Sequence, residues 1–170
     1  MAAPSDDGEK MVLLRGKDGE PVEVPEKSIA AASATIKGVI DEGRADAGVD
    51  LPSLSAATLS RVAEYVKRHF KDGAAAPEDD PGFYVPGDDD PLARFDDELV
   101  TTVDNDVLID LIEAATLLGI DGLMDLACKA VAEQMKGKNA EEIRKKFHIV
   151  NDYTKEEEEE VRRENSWAFE

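Results

Sequence analysis

Lys136-Gly-Lys-Asn-Ala-Glu-Glu-Ile-Arg144, Phe147-His-Ile-Val-Asn-Asp-Tyr-Thr154 and Glu156-Glu-Glu-Glu-Glu-Val-Arg-Arg-Glu-Asn-Ser-Trp-Ala-Phe-Glu170 are the stretches that decide how this chain is read. Residues 136–170 hold ten acidic and eight basic side chains, yet also Ile143, Phe147, Ile149, Trp167 and Phe169. Short helices in water are marginal alone, so such a segment cannot bury those apolar groups by itself. It either folds back on a domain or closes over another protein, and composition leaves both open. Asn139-Ala-Glu-Glu142 and Thr154-Lys-Glu-Glu157 have capping-box spacing and predict two helix starts. Glu156 to Glu160 followed by Arg162-Arg163 places acid early and base late, as a helix dipole favours, and reads as a solvated helix. The lone tryptophan, Trp167, has the character of a binding anchor.

Working back from this segment, the pattern becomes that of a domain with a core. Val107, Leu108, Leu111, Ile112 and Ala115 make the stripe of a helix stopped by Gly119. A second helix, over about 121–135, turns Leu123, Leu126, Ala127, Ala130 and Val131 inward. With only Gly119-Ile120-Asp121 between them, the two predict a tight antiparallel hairpin. Ser55 caps a further helix whose stripe is Leu59, Val62, Ala63, Val66 and Phe70. Residues 26–41 read as a helix broken at Ser33, a plausible cap. Met11-Val-Leu-Leu-Arg15 and Pro21-Val-Glu-Val24 flank an Asp18-Gly19 turn and predict a hairpin, while Val49 and Leu51 predict a third short strand.

From Lys71 to Pro91 periodicity disappears among Pro77, Pro81, Pro86 and Pro91, Gly73, Gly82 and Gly87, and the like charges Asp79-Asp80 and Asp88-Asp89-Asp90. The stretch predicts a loop or disordered insert. Residues 72–98 carry ten acidic side chains against Arg94, so about half of the net charge of −19 sits there. Such acidity argues against nucleic acid or an anionic membrane surface as a partner. There is no signal-peptide pattern and no apolar run of the ~20 residues that span a bilayer, so the expected setting is nucleus and cytoplasm. The lone Cys128 allows no internal disulfide and suits a reducing compartment.

No catalytic constellation emerges. His69 and His148 lack a nucleophile at a motif spacing. Cys128 has Met124, Ala127 and Val131 at i−4, i−1 and i+3, which predicts a buried core thiol. A small hydrolase built on Cys128 or His148 would instead require an exposed, reactive thiol. Asp88-Asp89-Asp90 lacks the ligand spacing of a calcium loop. No metal or cofactor is expected, and the chain reads as non-enzymatic.

The stretches quoted above resemble the C-terminus of the S-phase kinase-associated (Skp-type) adaptor family, subunits of SCF ubiquitin ligases. The likeness extends to Ser33-Ala-Thr-Ile-Lys37, Leu51-Pro52, Asp110-Leu-Ile112 and Ala114-Ala115, and covers all but about residues 1–9 and 71–93. The resemblance implies a BTB/POZ-type α/β (α+β) fold, a small sheet flanked by helices, over 10–135, and F-box-binding helices over 136–170. Outside the resemblance, 71–93 is expected as an acidic disordered insert and 1–9 as a disordered N-terminus. The resemblance also implies an adaptor that bridges F-box substrate receptors to the cullin N-terminal region, in the manner of a plant-like paralogue. By matching position, the F-box grip comprises Leu123, Val131, Met135, Ile143, Phe147, Ile149, Trp167 and Phe169, and the cullin face Ile36, Val39, Ile40, Thr116 and Leu117. The chain departs from the family at Thr116-Leu117, where Asn-Tyr usually meets the cullin, and at Phe95-Asp-Asp-Glu-Leu99, where Trp-Asp-x-Glu-Phe is usual. Those departures leave an F-box-binding chaperone or non-ligase adaptor as the alternative.

Overall fold

A computed structural model describes residues 9–74 and 90–168. The chain divides into two compact units, Met1–Gln134 and Met135–Glu170. The first unit is built on a three-stranded sheet of order β2-β1-β3, with β1 Met11–Gly16, β2 Pro21–Pro25 and β3 Val49–Leu51. β1 pairs antiparallel with β2, so that Val12 faces Val24 and Leu14 faces Val22. β3 pairs parallel to β1, Leu14 opposite Val49 and Gly16 opposite Leu51. Period-two alternation places Val12, Leu14 and Val24 in the core while Met11 and Glu23 stay exposed.

Between β2 and β3 the chain makes α1 Glu26–Ala32 and α2 Ala34–Asp41. The break is Ser33, whose extended backbone (φ −129°, ψ 111°) ends one helix and caps the next. The Ile36 N–H donates to Ser33 Oγ at 3.1 Å, and the Ser33 hydroxyl in turn donates to the Leu118 carbonyl. A fully buried hydroxyl thus satisfies a helix start and a helix end at once. α3 Ala56–His69 is capped by Ser55, which accepts from the Thr58 N–H, and packs on β1, β2 and α1 through Leu59, Val62, Ala63 and Val66.

Residues 75–89, most of the expected insert, lie outside the described residues, as do residues 1–8 of the N-terminal stretch. At the margins, Lys71–Gly73 forms a 3-10 turn against α1, and α4 Pro91–Thr101 begins at once. α4 has an N-cap, Asp90 Oδ1 accepting from Leu92 N–H at 2.9 Å, and proline in its first turn. It docks on α3 by a 2.7 Å pair between His69 Nε2 and Asp96 Oδ1, and by the Arg68 guanidinium 4.5 Å above the Phe95 ring. His69 also stacks on Tyr65, with ring centroids 4.1 Å apart.

α5 Asn105–Leu118 buries Leu108, Leu111, Ala114, Ala115 and Leu118, and ends at Gly119 in the left-handed conformation (φ 67°). α6 Asp121–Met135 follows after Gly119-Ile120, and α5 packs on α3 and α2. α6 contributes only a narrow buried line, Leu123 and Ala127, with Ile120 just before it. The second unit contains α7 Ala140–Lys146 and α8 Lys155–Glu164, then a 3-10 turn over Ser166–Ala168. Among the described residues no helix is long and apolar enough to cross a membrane.

Candidate protein-docking site

The second unit is held by polar devices. In α7, Glu142 N–H donates to Asn139 Oδ1 and Asn139 N–H donates to Glu142 Oε2, both at 2.9 Å. In α8, Glu157 N–H donates to Thr154 Oγ1 at 3.3 Å, and Thr154 N–H donates to Glu157 Oε2 at 2.8 Å. The hydrogen bonds from the Thr154 backbone and side chain hold the Glu157 carboxyl below its ordinary pKa. Glu158 bridges the helices, lying 3.5 Å from both Arg144 and Arg162. Neither α7 nor α8 buries a single residue.

Apolar side chains are correspondingly unprotected. Trp167 is 77% exposed, Val150 83% and Ile149 53%, and Tyr153 and Met135 are exposed as well. Ile143, Phe147 and Val131 are half-buried, and Phe169 lies outside the described residues. Val150 and Tyr153, adjacent to the expected contacts, were missed by reasoning from the sequence. Their signal was present, because 149–153 has no helical period that could turn them inward.

Two of the positions carried over by resemblance lie in the core rather than on the surface. Leu123, expected at the F-box grip, is 0% exposed and belongs, with Ala127, to the buried line of α6 in the common core. Ile36, expected at the cullin face, is likewise 0% exposed, since the turn that Ser33 caps points it into the same core. Neither side chain reaches the surface of the chain taken alone. Cys128 departs from the buried reading in the other direction and is exposed. It lies next to the buried line at Ala127, while its neighbours Met124 and Val131 are only half-buried rim residues.

The remaining residues expected at the cullin face fall on α2 and at the end of α5. Val39 and Ile40 are half-buried, Leu117 is 44% exposed, and Ile109, absent from the expected set, is exposed two turns before it on α5. Thr35 Oγ1 donates to the Leu117 carbonyl at 3.5 Å, so α2 and the end of α5 form one surface. Thr116 is exposed, and its hydroxyl lies 2.8 Å from the Ile112 carbonyl, to which it donates, and 3.8 Å from Met124 Sδ. A groove of about 430 Å³ also lies between α4 and α6, floored by Val100, Leu126 and Ala130 and rimmed by Asp97, Lys129 and Glu133. Among the described residues no group of three or more His, Cys, Asp or Glu is arranged to hold a metal ion.

The first unit is thus a small sheet with α3 packed on it and α5 on α3, and the second a helical pair in which neither helix buries a residue. Residues 10–71 match the Skp1 family, tetramerisation domain, and residues 121–168 match the Skp1 family, dimerisation domain. SKP1-like protein 4 of Arabidopsis thaliana is 49% identical over 161 residues, spanning 95% of this chain and 97% of that protein. SKP1-like protein 20 of Oryza sativa subsp. japonica is 48% identical over 168 residues, spanning 94% and 95%. The chain belongs to the Skp1 family, in a form similar to the plant paralogues, and its first unit has the BTB/POZ-type fold.

Proposed function

We propose that this chain is the adaptor of an SCF-type cullin–RING ubiquitin ligase, acting in nucleus and cytoplasm. F-box substrate receptors dock on the second unit, and the cullin N-terminal region docks on the α2–α5 face of the first. The observation that carries the reading is Trp167, 77% exposed in a unit whose helices have no buried residue of their own. An aromatic side chain of that area is stabilised by transfer from water into a partner's pocket. Family membership supports the partner class. The adaptor performs no bond chemistry; it raises the effective concentration of a bound substrate beside the ubiquitin-charged enzyme.

On the cullin side, Thr116 and the exposed Leu117 stand where the family usually offers an amide and a phenol, and Ile109 adds exposed apolar area two turns earlier on α5. A pull-down with purified cullin N-terminal region and an F-box peptide tests both arms. Co-capture of the two supports the ligase adaptor. Capture of the F-box peptide without the cullin replaces it by the non-ligase adaptor, and capture of neither removes the reading.

A further inference from the structure

α7 stops in an unusual way. His148 is the single described non-glycine residue with positive φ, at 55°. It occupies the position after the cap Phe147, and the Ile149 N–H donates across it to the Arg144 carbonyl at 2.8 Å. That is the six-to-one bond of a Schellman stop, a position usually given to glycine because a Cβ is disfavoured there. Histidine is one of the few other residues that enters this region, whereas a β-branched residue is an outlier in it. The imidazole is exposed, with no hydrogen-bond partner among the described residues, so it is the backbone conformation that the structure uses.

The consequence falls on the next two residues. The left-handed turn at 148 reverses the chain direction immediately before Ile149 and Val150, which are 53% and 83% exposed. Arg144 fixes the stop twice: its carbonyl receives the Ile149 N–H, and its guanidinium lies 3.5 Å from Glu158 of α8. An α7 that continued for another turn would carry Ile149 and Val150 round the helix at 100° per residue, away from their present directions.

We infer that His148 is a positioning residue for the partner: its left-handed backbone, latched through Arg144, sets the Ile149–Val150 pair outward as a preformed apolar contact. Preforming the contact removes ordering cost from association. This rests on the F-box reading of the second unit, since it needs a partner that presents an apolar surface to 149–150.

The test compares three full-length chains, wild type, His148→Asn and His148→Val, by calorimetric titration with an F-box peptide and by amide hydrogen exchange at Ile149. Asparagine tolerates the left-handed region, so His148→Asn should bind within about two-fold of wild type and keep the Ile149 amide protected. Valine does not, so His148→Val should bind about ten-fold more weakly and lose that protection. Wild-type affinity and protection in His148→Val would overturn the inference. Equal losses of affinity in Asn and Val, with the amide still protected, would overturn it as well, by assigning the contact to the imidazole. If the wild-type chain binds no F-box peptide, the docking reading and the positioning role fall together, while the exchange comparison still decides whether residue 148 sets the stop.

Discussion

The two units of this chain solve opposite problems with the same alphabet. In Met1–Gln134, Leu14, Ile29, Ile36, Leu59, Leu108, Leu111 and Leu118 are each 0% exposed, and two helices meet at one buried serine hydroxyl. In Met135–Glu170, α7 and α8 are held by capping boxes and a glutamate shared between two arginines, with Trp167 left in solvent. The difference teaches that the apolar side chains which stabilise the first unit from inside have exposed counterparts in the second. Substitutions at the buried positions of the first unit should therefore be read by melting, and substitutions at the exposed apolar positions of either unit by binding.

The largest expected effect is in the core. Leu111→Ala should cost about 3 kcal/mol of unfolding free energy, measured by urea titration, because transfer and cavity terms add in a site with no room to collapse. A cost below about 1 kcal/mol would mean that α5 is not the centre of the first unit. Ser33→Ala should cost about 2 kcal/mol, since it removes the α2 cap and leaves the Leu118 carbonyl without its buried donor. In the second unit Thr154→Ala should cost about 1 kcal/mol of local helix stability, seen as faster amide exchange in α8 with the main melting transition unmoved. A shift of that main transition would show that the units are not energetically separate.

Acid and base sharpen the same contrast. The Glu157 pKa is depressed, so its contribution to α8 is present above the ordinary carboxyl range and is lost as pH falls through the folded value. Tyr65 is shifted the other way: burial first, then the charges of Asp96 and Asp125, push its phenol up to about 12. Its contribution is complete below the ordinary value of 10.0 and is lost as pH rises through about 12. The first unit should then lose stability in that alkaline window, followed by tyrosinate absorbance together with circular dichroism, while acid first loosens α8.

Much of this was legible in the residues. Alternation gave β1 and β2, Ser33 and Ser55 gave two helix starts, Gly119 gave a stop, and both capping boxes formed at the expected spacing. α4 was not legible, because Asp90 and Pro91 are a helix start that also reads as the end of an acidic, proline-rich stretch. The parallel pairing of β3 with β1 depends on long-range closure that no local pattern encodes. At the docking site, resemblance transferred positions but not directions. Leu123 and Ile36 turn inward, and Cys128 turns outward. Side-chain direction depends on which single line of α6 and α2 the core accepts, and sequence stripes wider than that line cannot reveal it.

The central claim, that the second unit is the partner grip, is tested most directly by Trp167→Ala. Calorimetric titration of the full chain with an F-box peptide should show binding weakened by on the order of 2 kcal/mol, with the melting temperature unchanged. Unchanged affinity, or a lost affinity accompanied by a matching fall in melting temperature, would contradict it.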